Sequence, residues 1–361
     1  MKPAQLIVQE PDGNTWTFEV TGPETLIGRS PAHHLQLADK AVSRDHAAIS
    51  WEDDGYMIED LQTTNGTKVN GTRVRSSPLK HGDTIQIGKT LITLFYEAST
   101  RTRTSFELAA KALGADTISI AATSSSVQKG ESLIDTVRTL QAVGAHILVM
   151  RHASSGAPYL VARQVEMNVI NAGDGWHAHP TQGLLDLYTM RSRLGDLQGK
   201  RVVIVGDIAH SRVARSAIWG LSTLGAEIVV CAPPTLLPSG LLPGDAGQRE
   251  PRALPSVTVE TKLDRALEGA DVVMALRLQS ERMTTGLLPS LREYARLYQL
   301  NEERMTRARP GALVMHPGPL NEGVEISPAV ARSVQSVIEE QVTNGVAIRM
   351  AVLYLLARGK P

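Results

Sequence analysis

Residues 83–106 read DTIQIGKTLITLFYEASTRTRTSF. The first half, through Phe95, has the apolar alternation of a strand that closes a β-sandwich. The second half reads as an anion-binding loop that opens a helix. No linker of Pro, Gly and Ser separates the two. One strand cannot complete two sheets at full length, because each sheet needs its own hydrogen-bonding edge and its own buried face. The fold therefore turns on how this stretch is divided, and the flanking sequence shows what lies on either side.

Bulk composition sets limits first. At 361 residues the chain is long enough for two or three domains. Lys+Arg and Asp+Glu both number 37, so no global basic field favours nucleic acid. The lone cysteine, Cys231, sits in the apolar run EIVVCAPP. It excludes an intrachain disulfide framework and a multi-cysteine metal site, and it reads as a buried structural thiol in a reducing compartment. No N-terminal apolar segment resembles a signal peptide, and no apolar run reaches the length of a membrane span. The expectation is a soluble cytoplasmic protein without nucleic-acid or membrane partners.

Upstream of the join, QLIVQEPDGNTWTFEV and AAISWEDDGYMIEDL have the turn chemistry of two β-hairpins. Short strands punctuated by Gly, Asp, Asn and Ser predict an all-β sandwich whose function sits on its loops. Three loops carry more than turn formers: IGRSP with Arg29, VSRDH with Ser43, Arg44 and His46, and LQTTNGTKVNG with Thr64, Asn65 and Asn70. Together they offer charge-assisted donors for a phosphorylated side chain. Singly, Arg29 reads equally as a surface charge, Ser43 as a turn residue, and His46 as a packed histidine fastening its loop. In this order, residues 4–94 resemble the forkhead-associated (FHA) domain. The resemblance implies a phosphothreonine-peptide reader with Arg29, Ser43, Arg44, Thr64 and Asn65 at the peptide, while His46 and Asn70 brace the loops.

Downstream, helices alternate with apolar strands. SFELAAKALGA places Phe106, Ala109, Ala110 and Leu113 on one helical face before Gly114, and ESLIDTVRTLQAVGA repeats the pattern before Gly144. HILVM, RVVIVGD, EIVVC, ADVVMAL and ALVMHP are apolar on both faces, as parallel strands covered by helices must be. The expected class is α/β with two doubly wound lobes, whose ligands gather beyond the carboxyl ends of the strands. There Ser99 can cap a helix whose first-turn N–H groups, with Thr100, Arg101 and Thr102, form an anion cradle. The bland reading is a capped helix with exposed arginines, and the run of hydroxyl and guanidinium residues after a buried strand favours the cradle over it.

Six further segments extend the pattern: SSSVQKGES (Ser125, Lys129), VMRHA (Arg151), GDGWHAHPTQGLLDL (His179, Gln182), GDIAHSRVARS (Arg212), LRLQSER (Arg277, Gln279) and MHPGPLNEGVEI (Gly318, Pro319). In order and context, residues 88–358 resemble the aspartate carbamoyltransferase family. The HPTQ, RLQ and HPGPLNEGVEI segments match the aspartate rather than the ornithine enzymes. Arg212 and Arg277 offer two planar forks for a dicarboxylate.

The resemblance implies transfer of the carbamoyl group from carbamoyl phosphate to L-aspartate, a step of pyrimidine biosynthesis that needs no cofactor and no metal. By it, Ser99, Thr100, Arg101, Thr102 and Arg151 hold the phosphate. Thr102, Arg151 and His179 donate to the carbonyl oxygen. Gln182, Gly318 and Pro319 position the carbamoyl group, and Arg212, Arg277 and Gln279 hold aspartate. Ser125 and Lys129 enter the site of a neighbouring subunit in a homotrimer. The expected architecture is multidomain: a sandwich at 1–90, a carbamoyl-phosphate lobe at 91–185 completed by a C-terminal helix at 333–361, and an aspartate lobe at 186–332. The helix that family members carry ahead of GKTLITLF is replaced by the sandwich. A second reading therefore stands beside the first, a phosphothreonine-binding adaptor with an inactive or misassembled transferase remnant.

Overall fold

The computed structural model describes residues 4–9, 15–37, 42–52, 55–63, 66–70, 72–87, 90–95, 99–121, 132–239, 241, 254–278 and 286–357. The first ten strands are β1 (Ala4–Gln9), β2 (Thr15–Val20), β3 (Glu24–Gly28), β4 (Leu35–Gln36), β5 (Ala47–Glu52), β6 (Gly55–Asp60), β7 (Thr67–Val69), β8 (Thr72–Val74), β9 (Ser76–Leu79) and β10 (Ile85–Ile87). They form three sheets, ordered β1-β2, β10-β7-β8 and β4-β3-β5-β6-β9. Both predicted hairpins are present, β1 with β2 and β5 with β6, each antiparallel. Ile27, Leu35, Ala47, Ile49, Ile58 and Val69 form the core, with Ile85 and Ile87 packed against it.

The contested stretch is divided. Ile85–Ile87 pairs antiparallel with β7 and closes the sandwich. Only positions 88 and 89 then separate it from β11 (Thr90–Phe95), which pairs in parallel with β12 (Asp116–Ala121) in a different sheet. Each sheet thus keeps its own edge, and no residue is shared.

Behind β11 come α1 (Thr100–Ala112), β12, α2 (Leu133–Ala142), β13 (Ile147–His152), α3 (Ala157–Ala162) and β14 (Asn168–Asp174). The sheet order is β12-β11-β13-β14. Phe106, Ala109 and Ala110 are buried on α1, and Gly114 and Gly144 take positive φ where the two helices stop. The chain continues through α4 (Pro180–Leu194), β15 (Arg201–Val205), α5 (Arg212–Thr223), β16 (Glu227–Cys231), β17 (Thr258–Glu260), α6 (Leu263–Ala266), β18 (Val272–Ala275), α7 (Leu291–Tyr298), α8 (Glu302–Met305), β19 (Leu313–Met315), α9 (Pro328–Ala331) and α10 (Ile338–Ala357). Its sheet, β17-β16-β15-β18-β19, is parallel throughout. Val202–Ile204, Val229, Val230 and Val272–Met274 are fully covered, which is why these strands read as unbroken apolar runs.

The chain divides into two compact units. One comprises Met1–Met150, Pro158–Ile170 and Arg349–Pro361, and the other Arg151–Ala157 and Asn171–Ile348.

One expectation is corrected. The long C-terminal helix begins at Ile338, not at 333. The preceding residues are drawn to the edge of β19 instead: Val314 N–H donates to Gln335 O, Val337 N–H donates to Val314 O, and Val314 and Ser336 form a parallel bridge. A strand edge with unmet carbonyls and N–H groups outweighs the helical period of AVARSVQSV. Cys231 is buried, and burial pushes its thiol up to about 12. Among the described residues, no helix is long and apolar enough to cross a membrane.

Candidate functional sites

In the sandwich the loops after β3 and before β5 are sewn together by backbone. Arg29 N–H donates to Ser43 O at 2.9 Å and Ser30 N–H to Arg44 O at 3.2 Å. Such an approach needs glycine at position 28, where a Cβ would overlap the Arg44 carbonyl. Arg29 and Arg44 are exposed and Ser43 is half-buried, so the three predicted donors share one end of the sandwich.

His46 is fully buried and links this loop to the next. Its Nδ1 accepts from Ser43 N–H at 3.0 Å, which leaves the proton on Nε2 to face Gly66 O at 3.2 Å. Asn70 is the second brace, donating through Nδ2 to Asp83 and accepting from Thr84 N–H. Thr64 and Asn65 lie outside the described residues.

The sequence reading missed Asp60. Its carboxylate accepts from the N–H and hydroxyl of Thr63 and from the hydroxyl of Thr67 at 2.7–2.8 Å, so it ties Thr63 to the start of β7. Burial alone would raise its pKa. The bonds from Thr63 and Thr67, with His46 nearby, bring it below the ordinary carboxylate value. The signal was present as an Asp followed at +3 and +7 by hydroxyls, a spacing that suits a side-chain-capped turn.

In the transferase portion the predicted residues that the structure describes stand at the carboxyl ends of strands or at helix starts. Ser99 caps α1 by accepting from Thr102 N–H at 3.4 Å. Thr102 is buried, whereas Thr100 and Arg101 are exposed. In the second unit Arg151 is the penultimate residue of β13, His179 precedes α4, Arg212 opens α5, Arg277 follows β18, and Gly318 and Pro319 follow β19 and are joined by a cis peptide.

Arg151 and Arg212 converge on Gly173. A Cβ built there would stand 3.0 Å from Cζ and Nε of Arg212 and 3.4 Å from Nη1 of Arg151. Gly173 also has φ of 117°, so position and conformation both require glycine. Arg212 is 4% exposed and donates through Nη1 to Gly175 O. His179 is buried, and its N–H donates to Ser216 Oγ on α5 at 2.9 Å. Gln182 is buried one turn further on and donates to Asp186 Oδ1. Ser125, Lys129 and Gln279 lie outside the described residues.

Asp174 is a further residue that the sequence reading passed over. It is 1% exposed and accepts from Gly156 N–H, Ala178 N–H and Asn171 Nδ2, with His177 Nδ1 at 3.0 Å. It pins the turn that delivers His179. His177, to which no role was given, lies over that carboxylate. Among the described residues, no group of three or more His, Cys, Asp or Glu is placed to hold a metal ion.

The comparisons with known proteins follow the same division. The aspartate/ornithine carbamoyltransferase carbamoyl-P binding domain matches residues 61–192, and the Asp/Orn binding domain of the same family matches 198–356. The chain belongs to the aspartate/ornithine carbamoyltransferase family. An FHA domain matches residues 25–88 and stands N-terminal to it. The two matches overlap at 61–88, a stretch that contains β7 to β10 of the sandwich.

An aspartate carbamoyltransferase catalytic subunit of Roseiflexus sp. (strain RS-1) is 54% identical over 321 residues, covering 89% of this chain and 98% of the relative. One of Heliobacterium modesticaldum is 60% identical over 272 residues, covering 75% and 84%. Among solved structures, aspartate transcarbamoylase from Trypanosoma cruzi in complex with carbamoyl phosphate has a TM-score of 0.63 at 31% identity, covering 74% of this chain and 84% of that one. Ornithine carbamoyltransferase from Pyrococcus furiosus has a TM-score of 0.65 at 29% identity, covering 76% and 86%.

Proposed function

We propose that the chain joins a carbamoyl-transfer enzyme to a phosphothreonine reader. It is an aspartate carbamoyltransferase, moving the carbamoyl group from carbamoyl phosphate to L-aspartate. The observation that carries this reading is the convergence of Arg151 and Arg212 on Gly173 in a chain more than half identical to aspartate carbamoyltransferase catalytic subunits.

In the proposed chemistry, Ser99, Thr100, Arg101, Thr102 and the first-turn N–H groups of α1 take the phosphate. Thr102, Arg151 and His179 donate to the carbonyl oxygen as it gains charge. Gln182 and the Gly318-Pro319 backbone orient the carbamoyl group, and Arg212, Arg277 and Gln279 hold the two carboxylates of aspartate. The neutral amine attacks the carbonyl carbon and a C–N bond forms. The C–O bond to phosphate then breaks, and the departing phosphate takes the amine proton. Ser125 and Lys129 act in a neighbouring subunit's site within a homotrimer in the cytoplasm.

The reader is proposed on the exposed Arg29 and Arg44 and the half-buried Ser43, held in place by His46, with Thr64 and Asn65 completing the set. Purified full-length chain is expected to elute as a trimer by light scattering and to form carbamoyl aspartate. Arg101→Ala and His179→Ala should each abolish that activity, and Arg29→Ala should abolish binding of a fluorescent phosphothreonine peptide. A folded trimer without transferase activity would reject the enzyme reading and leave the adaptor.

A further inference from the structure

We propose that Gln341, on the C-terminal helix α10, is a positioning residue for carbamoyl transfer, because it joins the two segments assigned to the carbamoyl group through one buried chain of hydrogen bonds. The chain begins at Gln182, whose Nε2 donates to Asp186 Oδ1 at 3.0 Å. Gln341 donates its own Nε2 to that same oxygen at 2.7 Å, and its Oε1 accepts from His316 N–H at 3.0 Å. His316 Nδ1 accepts from Gly318 N–H at 2.8 Å. The imidazole proton is therefore on Nε2, which faces Glu325 Oε1 at 3.3 Å, and that carboxylate oxygen also accepts from Asn321 N–H. Asp186 is 0% exposed, Gln341 2%, and His316 and Glu325 1% each.

Two features separate this arrangement from ordinary glue. Gln341 uses both ends of its amide, one toward α4 and one toward the backbone after β19, so no apolar residue of its size can substitute for it. The chain also ends on Gln182 at one side and Gly318 at the other, both assigned to the carbamoyl group above, and the inference rests on that assignment. A second bond fixes the register of α10 on α4: Asn344 Nδ2 donates to Thr189 Oγ1, three residues along both helices from the Gln341–Asp186 pair. Aspartate is assigned to Arg212 and Arg277, other residues than those whose hydrogen bonds link Gln341 to Gln182 and Gly318. The relay should therefore affect the rate of transfer more than the binding of aspartate.

The test is steady-state kinetics on the full chain. Gln341→Met keeps the volume and removes both bonds. It is expected to lower kcat by about tenfold or more while the KM for aspartate moves less than about threefold. In a Gln182→Ala background the same substitution should cost less than about threefold, because residues that act through one another are not additive. Asp186→Asn keeps an oxygen to accept both amides and should retain most of the rate. If Gln341→Met does not fold, Gln341→Asn withdraws the amide by one methylene and should lower kcat in the same direction. Wild-type kcat in a folded Gln341 variant overturns the proposal, as does an equal loss in both backgrounds. Wild-type kcat in Gln182→Ala alone overturns the site assignment, and the proposal with it.

Discussion

Gly173→Ala isolates the contribution of a single missing Cβ. At φ of 117° an alanine stores roughly 1–3 kcal/mol of backbone strain. Its methyl would also meet Cζ and Nε of Arg212 at 3.0 Å and Nη1 of Arg151 at 3.4 Å. A contact at 3.0 Å is tighter than ordinary packing, so the Arg212 guanidinium, which also donates to Gly175 O, must give by a few tenths of an ångström. A displacement of about 1 Å in a positioned group costs on the order of a hundredfold in rate, so a few tenths should cost roughly 4–10-fold, or about 0.8–1.4 kcal/mol.

The matched control is Gly195→Ala, at φ of 74° with nothing within 4 Å of the added carbon. Both variants should lose about 2 kcal/mol of stability, roughly 4–8 °C in Tm. Only Gly173→Ala should lose roughly 4–10-fold in kcat/KM when carbamoyl aspartate is measured on the folded fraction. If Gly173→Ala stays within about twofold of the Gly195→Ala control, the two guanidinium groups do not act where the geometry puts them.

Other outcomes follow from the same reasoning. Arg212→Lys keeps the charge but not the planar fork, and should raise the aspartate KM by roughly 10–100-fold with little change in carbamoyl phosphate affinity. An unchanged aspartate KM would remove Arg212 from the aspartate site. His46→Ala leaves Ser43 N–H and Gly66 O without their partner, at about 1–3 kcal/mol, and should weaken phosphothreonine-peptide binding by about tenfold or more in fluorescence anisotropy. Asp60 has a depressed pKa, so the stability it adds is present above its unfolded value of 3.8 and is lost as the pH falls below that value. Hydrogen exchange over residues 42–69 should show the gap between wild type and Asp60→Ala shrinking as the solution is acidified, and a constant gap would contradict the assignment. Cys231 should resist thiol reagents in the native protein and react once on denaturation, and rapid native labelling would contradict its burial.

The sequence was most informative where chemistry is local. Ser99 as a helix cap, Gly114 and Gly144 as helix stops, the paired hairpins and the apolar strands follow from short-range spacing, and each stands where spacing puts it. The predicted loop residues Arg29, Ser43 and Arg44 come together because Gly28 admits the Arg44 carbonyl, a contact that motif order captures indirectly. What stayed hidden depends on distant partners. The start of α10 could not be read from AVARSVQSV, because the strand edge that captures those residues belongs to β19. Gln341 looks like an ordinary polar residue on an amphipathic helix until Asp186, 155 positions earlier, is set beside it. Asp174 and Asp60 are common residue types whose burial, rather than identity, marks them.

The separation of the two folds at positions 88 and 89 also orders events on the ribosome. The sandwich is complete once Ile87 has emerged, whereas Ser105 on α1 waits for Arg349 on α10, which donates to its hydroxyl and stacks over Phe106. Those two positions are 244 residues apart. At about 5–20 residues per second, synthesis takes roughly 12–50 s to cross that distance. For that interval the nascent chain presents a finished sandwich on an enzyme still under construction. Any ligand of the sandwich loops could then engage the polypeptide before a transferase exists to act.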